Sequence, residues 1–315
     1  MASKNTKIQW TDDTWNVVAG CSLASPGCTN CYAMSYAHQR LSHLMKYAGT
    51  TDAVNDNAVW TDVVRLWEPS LREPFGWRAP RKIFVNSMSD LFHKNLADTA
   101  IARVWAVMAL TGRHTYQVLT KRADRMQRWL NDPATPKMVE AEMRQYDMTA
   151  KLAWPLKNVW VGVSVEDQKR ARERIPLLLG SQAQTRFISA EPLLERVELR
   201  GALGGTAGAP GAGTLKEMGL DLVIVGGESG TKARPMHPDW ARSLRDECAA
   251  EDIALFFKQR GEWCWEAARK GAETIGLMPD GTVVAPDTPG TTTLRKVGTR
   301  ASGSLLDGQT HLAFP

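Results

Sequence analysis

Residues 82–90, Lys82-Ile83-Phe84-Val85-Asn86-Ser87-Met88-Ser89-Asp90, join a short apolar run to a polar turn. Ile, Phe and Val favour a buried strand, and the polar residues that follow are typical of a loop leading to a helix. The same arrangement recurs at six other apolar runs, which are residues 15–18, 115–119, 159–163, 186–188, 222–225 and 253–257. From residue 82 onwards these runs begin roughly 30 to 40 residues apart, a spacing that predicts βα units and a parallel sheet.

Helical patterns occupy the intervals between the predicted strands. Residues 96–110 place apolar side chains at Ile101, Val104, Trp105 and Met108, which is the period of an amphipathic helix. Further helices are predicted at 123–130, at 168–179 and at 238–250. The fold class is therefore α/β, and seven βα units favour a parallel (β/α) barrel, complete or partial. A doubly wound parallel sheet is the alternative.

Composition separates the chain into a barrel and a tail. Residues 1–261 are predicted to form the α/β barrel, whereas residues 262–315 are polar and rich in turn signals and read as a C-terminal extension packed on it. Within the barrel, residues 131–155 predict a helical insertion. The glycine- and alanine-rich stretch 201–213 predicts a flexible surface loop.

Bulk composition excludes several classes of protein. Of 315 residues, 43% are hydrophobic and 23% are charged, which is normal for a globular chain. The excess of 39 Lys and Arg over 34 Asp and Glu gives a net charge of +5, which permits an anionic partner. The longest apolar run, 104–110, is too short to span a membrane. Residues 1–7 lead into no apolar region, so we expect no export signal, no membrane partner and a cytoplasmic location.

Polar residues follow the predicted strands closely. In a parallel α/β fold these positions share one edge of the sheet, where ligands bind. Helix capping is the alternative explanation for any single member. Because most members carry a charge, the whole set predicts a functional site. The set comprises Ser87, Asp90, Thr120, Lys121, Ser164, Glu166, Glu191, Glu228 and Lys258.

Three of the five cysteines, Cys21, Cys28 and Cys31, lie within eleven residues after the first predicted strand. Five cysteines are too few for a disulfide scaffold, and clustered thiols in a reducing compartment usually bind metal. Three thiolates leave one position open on zinc or on an iron–sulfur cubane. The alternatives are a structural zinc site completed by His38, Cys248 or Cys264, a set of unliganded thiols, and a disulfide with one remaining thiol.

This arrangement resembles the radical S-adenosylmethionine (SAM) superfamily. In that superfamily, three cysteines after the first barrel strand hold a [4Fe–4S] cluster, and SAM binds its fourth iron and is cleaved to a radical that abstracts hydrogen from a substrate. The resemblance implies that Cys21, Cys28 and Cys31 are the metal ligands and that a reduced flavodoxin or ferredoxin-type protein donates the electron. The first cysteine gap here is six residues instead of the usual three. Asn30, and not an aromatic residue, precedes the third cysteine.

A second resemblance covers nearly the whole chain. It is to a phage- and prophage-associated, radical-SAM-like family with a three-cysteine motif and no assigned function. The motifs that carry it are Trp15-Asn16, Gly20-Cys21, Gly27-Cys28, Cys31-Tyr32-Ala33, 84–93, 119–122, 162–166, 189–194, 226–230, 233–235 and 257–259.

These resemblances imply that the strand-end residues bind SAM or take part in catalysis. Carboxylates can accept hydrogen bonds from the amine or ribose of SAM, lysines can bind its carboxylate, and glycine permits close approach. A structural pair between Lys121 and Glu166 is the alternative for those two residues. The expected cofactor-binding residues are Tyr32, Ser87, Asp90, Ser164, Glu191, Gly226, Gly227 and Glu228. The expected catalytic residues are Lys121, Glu166 and Lys258.

The substrate class is less sharply indicated. Arg122, Arg125 and Arg128 would lie towards one side of a helix, as a solvated face or as contacts to phosphates. Twelve tryptophans make base stacking physically easy. We therefore expect a radical SAM enzyme that acts on DNA, RNA or a nucleotide. The alternatives are a zinc-dependent hydrolase or deaminase and a metal-stapled nucleic-acid-binding module without catalysis.

Overall fold

The computed structural model describes residues 6–55, 57–204, 213–266 and 270–315, and it has a mixed α/β fold. The strands are β1 (Asp13–Trp15), β2 (Val18–Ala19), β3 (Thr51–Val54), β4 (Asn57–Trp60), β5 (Arg65–Leu66), β6 (Lys82–Val85), β7 (Thr115–Thr120), β8 (Val159–Ser164), β9 (Thr185–Ala190), β10 (Leu222–Gly226), β11 (Ala254–Gln259), β12 (Trp263–Cys264), β13 (Thr274–Leu277), β14 (Val283–Val284) and β15 (Thr292–Lys296). The helices are α1 (Tyr32–Tyr36), α2 (Asp98–Leu110), α3 (Ala123–Asn131), α4 (Thr135–Met143), α5 (Gln168–Leu179), α6 (Pro238–Ala250) and α7 (Thr299–Ser302).

Seven strands form one sheet in the order β1-β6-β7-β8-β9-β10-β11. The pairings are parallel; for example, Ile83 of β6 lies opposite Asp13 on one side and Tyr116 on the other. β10 is buried along its whole length, as expected for a parallel strand covered on both faces. The parallel α/β class is therefore confirmed. The strand order never reverses, which fits a partial (β/α) barrel and not a doubly wound sheet.

The chain divides into two compact units. The first contains the residues up to Ser25, Cys31–Val163 and Gly180–Arg186. Its core includes an aromatic cluster in which the Trp105 ring lies 5.8 Å from that of Phe92 and 4.8 Å from that of Trp129, measured between centroids.

The second unit contains Pro26–Asn30, Ser164–Leu179 and Phe187–Pro315. Its C-terminal part forms an antiparallel sheet in the order β12-β15-β13-β14. This part contacts the rest of the unit directly, because Phe257 of β11 donates a backbone hydrogen bond to His311 (2.8 Å) and the Trp240 indole of α6 donates one to the Pro279 carbonyl (2.7 Å).

Most predicted elements are confirmed, and the first strand is corrected. Residues 15–18 were expected to form one strand, but β1 ends at Trp15 and Val18 pairs antiparallel with Leu66 in a separate two-stranded sheet. Between these two strands, the Asn16 side-chain oxygen accepts a hydrogen bond from the Met88 amide (3.1 Å).

The remaining expectations concern connecting segments. The predicted insertion at 131–155 contains α4, so its helical character is confirmed. Of the predicted flexible loop at 201–213, residues 205–212 lie outside the described residues. In the part of the chain that the structure describes, no helix is both long and apolar enough to cross a membrane.

Candidate functional site

The first unit places Asp90, a predicted cofactor-binding residue, in a fully hydrogen-bonded position after β6. Its carboxylate accepts from the Thr120 hydroxyl (2.7 Å), the amides of Phe92 and Lys121 (both 3.0 Å), and the Arg122 guanidinium (2.8 Å). Asp90 is only 6% exposed. Burial alone would raise the pKa of this carboxyl, but the Arg122 charge and the hydrogen bonds outweigh burial and hold the pKa below its usual value. Asp90 is therefore ionised and bound by its own unit.

Arg122 connects Asp90 to the first cysteine. Its two terminal nitrogens lie 3.9 and 4.0 Å from the Cys21 sulfur, and one of them also donates to the carbonyl (3.1 Å) and hydroxyl (3.0 Å) of Ser22. Burial and the nearby Asp90 charge raise the pKa of the Cys21 thiol to about 12, although Arg122 acts in the opposite direction. A sulfur at this position thus has a buried cation beside it.

Glycine at position 20 fixes the approach to Cys21. Gly20 has φ +89°, and a Cβ there would lie 1.9 Å from the Val63 carbonyl oxygen. Only glycine fits such a site without a shift of the backbone. The Gly20-Cys21 pair therefore has a structural requirement, which is to let the cysteine loop leave β2 close to the main chain at Val63.

His93 supports the same loop. Its Nδ1 accepts a hydrogen bond from the Asn95 amide (3.1 Å), so its other ring nitrogen carries the proton that faces the Ser22 hydroxyl (2.7 Å). Burial, followed by the Arg122 charge, lowers the pKa of His93 to about 4. The histidine is neutral at physiological pH and serves as a buried hydrogen-bonding residue under the cysteine loop.

Tyr32 and Ser87 also come together in the first unit. The Tyr32 hydroxyl donates to the Ser87 carbonyl (2.6 Å), while the Ser87 hydroxyl bonds to the Asn16 side chain (3.1 Å). Tyr32 is 58% exposed, so this hydrogen bond fixes a ring that remains accessible. The structure thus links the residue after Cys31 to the loop that follows β6.

Lys121 is the predicted catalytic residue at the end of β7. Its amide binds Asp90, but its ammonium makes no hydrogen bond or ion pair with the side chains and carbonyls of the described residues. It is half-buried. A half-buried ammonium without a counter-ion can bind an anionic group of a ligand.

In the second unit, Glu166 holds the loop that carries Cys28. Its carboxylate accepts from the Arg174 guanidinium (3.0 Å) and from the Gly27 amide (3.4 Å), and the same guanidinium donates to the Ser164 carbonyl (2.8 Å). Glu166 is 1% exposed. The pairing partner of Glu166 is thus Arg174, and its position predicts a role in fixing the short 3₁₀ turn Pro26–Cys28.

Glu228 holds the same segment from a second side. It accepts from the Arg234 guanidinium (2.5 and 2.9 Å) and from the Asn30 side chain (3.0 Å). Arg234 in turn donates to the Pro26 carbonyl (3.0 Å). Burial would raise the pKa of Glu228, but the hydrogen bonds from Arg234 and Asn30 lower it overall. Both ends of residues 26–30 are therefore tied to one ion pair.

The two glycines before Glu228, Gly226 and Gly227, are packed against other protein atoms. A Cβ on Gly227 would lie 2.2 Å from the Arg260 carbonyl oxygen, and one on Gly226 would lie 3.3 Å from the Glu191 side chain. Glu191 itself pairs with Lys258 of β11. Close packing between strand ends thus accounts for the glycines, and the predicted catalytic Lys258 already has a carboxylate partner.

The three cysteines of the loop are thiols in the structure, and none of the five cysteines forms a disulfide. In the described residues, no three His, Cys, Asp or Glu side chains are close enough to surround one metal ion. Ligands of a cubane bind separate iron atoms and therefore stand further apart than ligands of a single zinc ion. The Ser25 hydroxyl, between the first two cysteines, is buried with no hydrogen-bond partner in the described chain. Thiolates are the donors that an iron–sulfur cluster requires, and residues 21–31 supply three of them.

Sequence reasoning missed the cations that pair with the predicted carboxylates, namely Arg122, Arg174 and Arg234. Arg122 had been grouped with Arg125 and Arg128, yet only Arg128 is an exposed helix residue, paired with Asp124. Arg122 and Arg125 instead bind inward-facing groups. The position of Arg122 directly after the strand-end residues Thr120-Lys121 was the signal in the sequence that could have identified it as a site residue. No linear signal joins Asn30 to Glu228, which are 198 residues apart.

Taken together, these observations define a parallel α/β protein whose strand-end ion pairs hold a loop rich in thiols. The chain belongs to the family described as "Protein of unknown function (DUF5131)", whose model matches residues 5–315. No curated protein and no solved structure matches the chain.

Proposed function

We propose that this chain is a radical-SAM-like enzyme of the phage-associated type, in which Cys21, Cys28 and Cys31 hold a [4Fe–4S] cluster that binds SAM. The observation that carries the proposal is the anchoring of the cysteine loop by buried charges from strand ends. Arg122 contacts the Cys21 sulfur, while Glu166 and Glu228 hold residues 26–30. Ordered thiols without disulfides suit metal ligation better than redox pairing.

The charge pattern also supports this assignment. A cluster ligated by three thiolates is anionic, and N–H donors beside ligand sulfurs stabilise it and tune its potential. The Arg122 guanidinium is such a donor beside Cys21. In the second unit, the Gly27 amide is directed to Glu166, which fixes the backbone one residue before Cys28.

When bound, the cluster and SAM would supply one-electron cleavage of a sulfonium and hydrogen abstraction from a substrate. This chain's own residues would bind and orient SAM. Lys121 carries a cation suited to the SAM carboxylate, and the exposed Tyr32 ring offers an apolar surface to a base. Asp90, Glu166 and Glu228 act as positioning residues, because their oxygens are already occupied by donors of the protein. The electron would come from a reduced flavodoxin or a ferredoxin-type protein.

Metal analysis of protein purified without oxygen tests the proposal. We expect about four iron and four sulfide per chain, and broad visible absorbance that bleaches with reductant. Adding SAM and reductant should release 5′-deoxyadenosine. Cys28→Ala should abolish iron binding and absorbance.

Cys248→Ala is the matched control, because Cys248 is a buried thiol on α6 outside the loop. It should keep the iron content of the wild type. Stoichiometric zinc in place of iron, or iron retained by Cys28→Ala, would overturn the proposal.

A further inference from the structure

The segment that starts at Cys31 carries exposed aromatic and basic side chains of the first unit. Tyr32 and Tyr36 are four residues apart on α1 and are 58% and 52% exposed. The helix continues directly into a π-helical turn, Ala37–Leu41, which carries the exposed Arg40. His43 is also exposed. We call Tyr32, Tyr36, Arg40 and His43 the α1 surface.

The sequence around the α1 surface lacks negative charge. Residues 14–51, a run of 38, contain no Asp or Glu, although 34 such residues occur in the chain. The run contains Arg40, Lys46 and two histidines, and Lys46 is turned inward to the Asn16 carbonyl. A run of chain that has no carboxylate and carries the exposed Arg40 favours an anionic partner.

Aromatic geometry indicates what kind of anion fits. Side chains at i and i+4 of a helix are neighbours, so the Tyr32 and Tyr36 rings lie on the same side. The Tyr32 hydroxyl is bound to the Ser87 carbonyl, which holds that ring in place. Exposed aromatic rings beside cations are the usual platform for unpaired bases, since every base has a face that stacks and every phosphate attracts a cation.

We propose that the α1 surface docks a single-stranded nucleic acid, which is the substrate of the activity proposed above. Tyr36 stacks on a base and Arg40 contacts a phosphate. The five-residue rise from Cys31 to Tyr36 is about 7.5 Å, so a bound strand passes within about one nucleotide of the third cysteine. The assignment as substrate rests on the proposed function, whereas the docking itself does not.

Fluorescence anisotropy with labelled oligonucleotides of about 12 nucleotides tests the inference on the full chain purified without oxygen. DNA and RNA strands and a duplex are compared between about 50 and 200 mM salt. We expect both single strands to bind more tightly than the duplex. Tyr36→Leu should weaken binding about 5- to 150-fold, while Tyr36→Phe should bind like the wild type because it keeps the ring. Arg40→Gln should lower the salt slope by about one.

Matched controls distinguish binding through the α1 surface from nonspecific attraction between the oligonucleotide and a basic protein. Arg128→Gln removes an exposed arginine of α3, and Phe75→Leu removes an exposed aromatic ring of the same unit. Both should leave affinity unchanged. Equal losses in the controls and in the α1 surface variants, or duplex binding as tight as single-strand binding, would overturn the inference.

Iron content measured on the same variants distinguishes the two proposals. Wild-type protein that holds iron but binds no oligonucleotide refutes the docking alone. Protein that lacks iron yet binds oligonucleotides through Tyr36 refutes the proposed activity and leaves the docking surface intact.

Discussion

Replacing Arg122 by methionine tests whether buried charge holds the cysteine loop. The side chains of Arg122 and Asp90 are only 14% and 8% exposed, and removing one member of a buried pair costs about 3–5 kcal/mol. Asp90 would keep three other donors, from Phe92, Thr120 and Lys121. We therefore expect Arg122→Met to lower the free energy of unfolding by about 3 kcal/mol at pH 7, at the lower end of that range.

The loss should depend on pH with a defined sign. In the wild type the pKa of Asp90 is lowered in the folded state, so its contribution is present above the unfolded pKa of about 3.9 and is lost as pH falls through the folded value. Without Arg122, burial dominates and the folded pKa rises above the unfolded one. In the variant, the Asp90 carboxyl therefore destabilises the folded state as pH rises through this raised pKa and the group ionises. The difference between wild type and variant should therefore be larger at pH 7 than near pH 4.5.

Urea unfolding at the two pH values measures the effect. Arg128→Met, which removes an exposed pair whose side chains are 73% and 69% exposed, should cost less than about 0.5 kcal/mol. In a double-mutant cycle, Asp90→Asn should recover part of the stability lost in Arg122→Met. A cost below about 1 kcal/mol at pH 7, or an equal cost at both pH values, would refute the reasoning.

Three further predictions concern the second unit. Gly227→Ala should lower the urea midpoint more than Gly226→Ala, because the added Cβ meets the Arg260 carbonyl at 2.2 Å instead of a Glu191 side-chain atom at 3.3 Å, and equal midpoints would contradict this. Glu228→Gln should speed hydrogen exchange of residues 27–30, since it removes the charge opposite Arg234, whereas Glu273→Gln in an exposed pair should not. Asp307→Asn should lower stability by less than about 1 kcal/mol above pH 4, because the pair is partly exposed. The difference should vanish as pH falls towards the Asp307 pKa of about 2, which hydrogen bonds from Arg242 and Arg245 lower, and a constant difference down to that pH would refute the assignment.

The sheet was predictable because parallel strands buried on both faces leave a strong local signal. The run Leu222–Gly226 is apolar throughout, and the structure buries every residue of it. The first strand was predicted at residues 15–18 instead of Asp13–Trp15 because the apolar pattern continues through Val18. Directly after β1, the Asn16 side chain accepts a hydrogen bond from the Met88 amide, and a contact over 72 residues leaves no trace in the local pattern.

The site was predictable by position and not by role. Asp90, Glu166 and Glu228 were found because they follow strands, and all three are buried. Their partners decide what they do, and each of these carboxylates has a protein cation and at least one donor elsewhere in the chain. Carboxylates occupied in this way do not need a ligand to satisfy them.

Buried ion pairs are a costly way to stabilise a sheet, since well-packed apolar residues often serve as well or better. One such pair after β6 in the first unit, and two after β8 and β10 in the second unit, therefore call for a reason other than stability. Each pair also donates or accepts a hydrogen bond within residues 21–30: Arg122 at Cys21, Glu166 at Gly27, and Glu228 with Arg234 at Asn30 and Pro26. A short loop with Pro26-Gly27 at its centre has little core of its own, so external hydrogen bonds must fix it. In each unit, the charged strand ends therefore fix the part of the cysteine segment that belongs to that unit: Cys21 and Ser22 in the first, and residues 26–30 in the second.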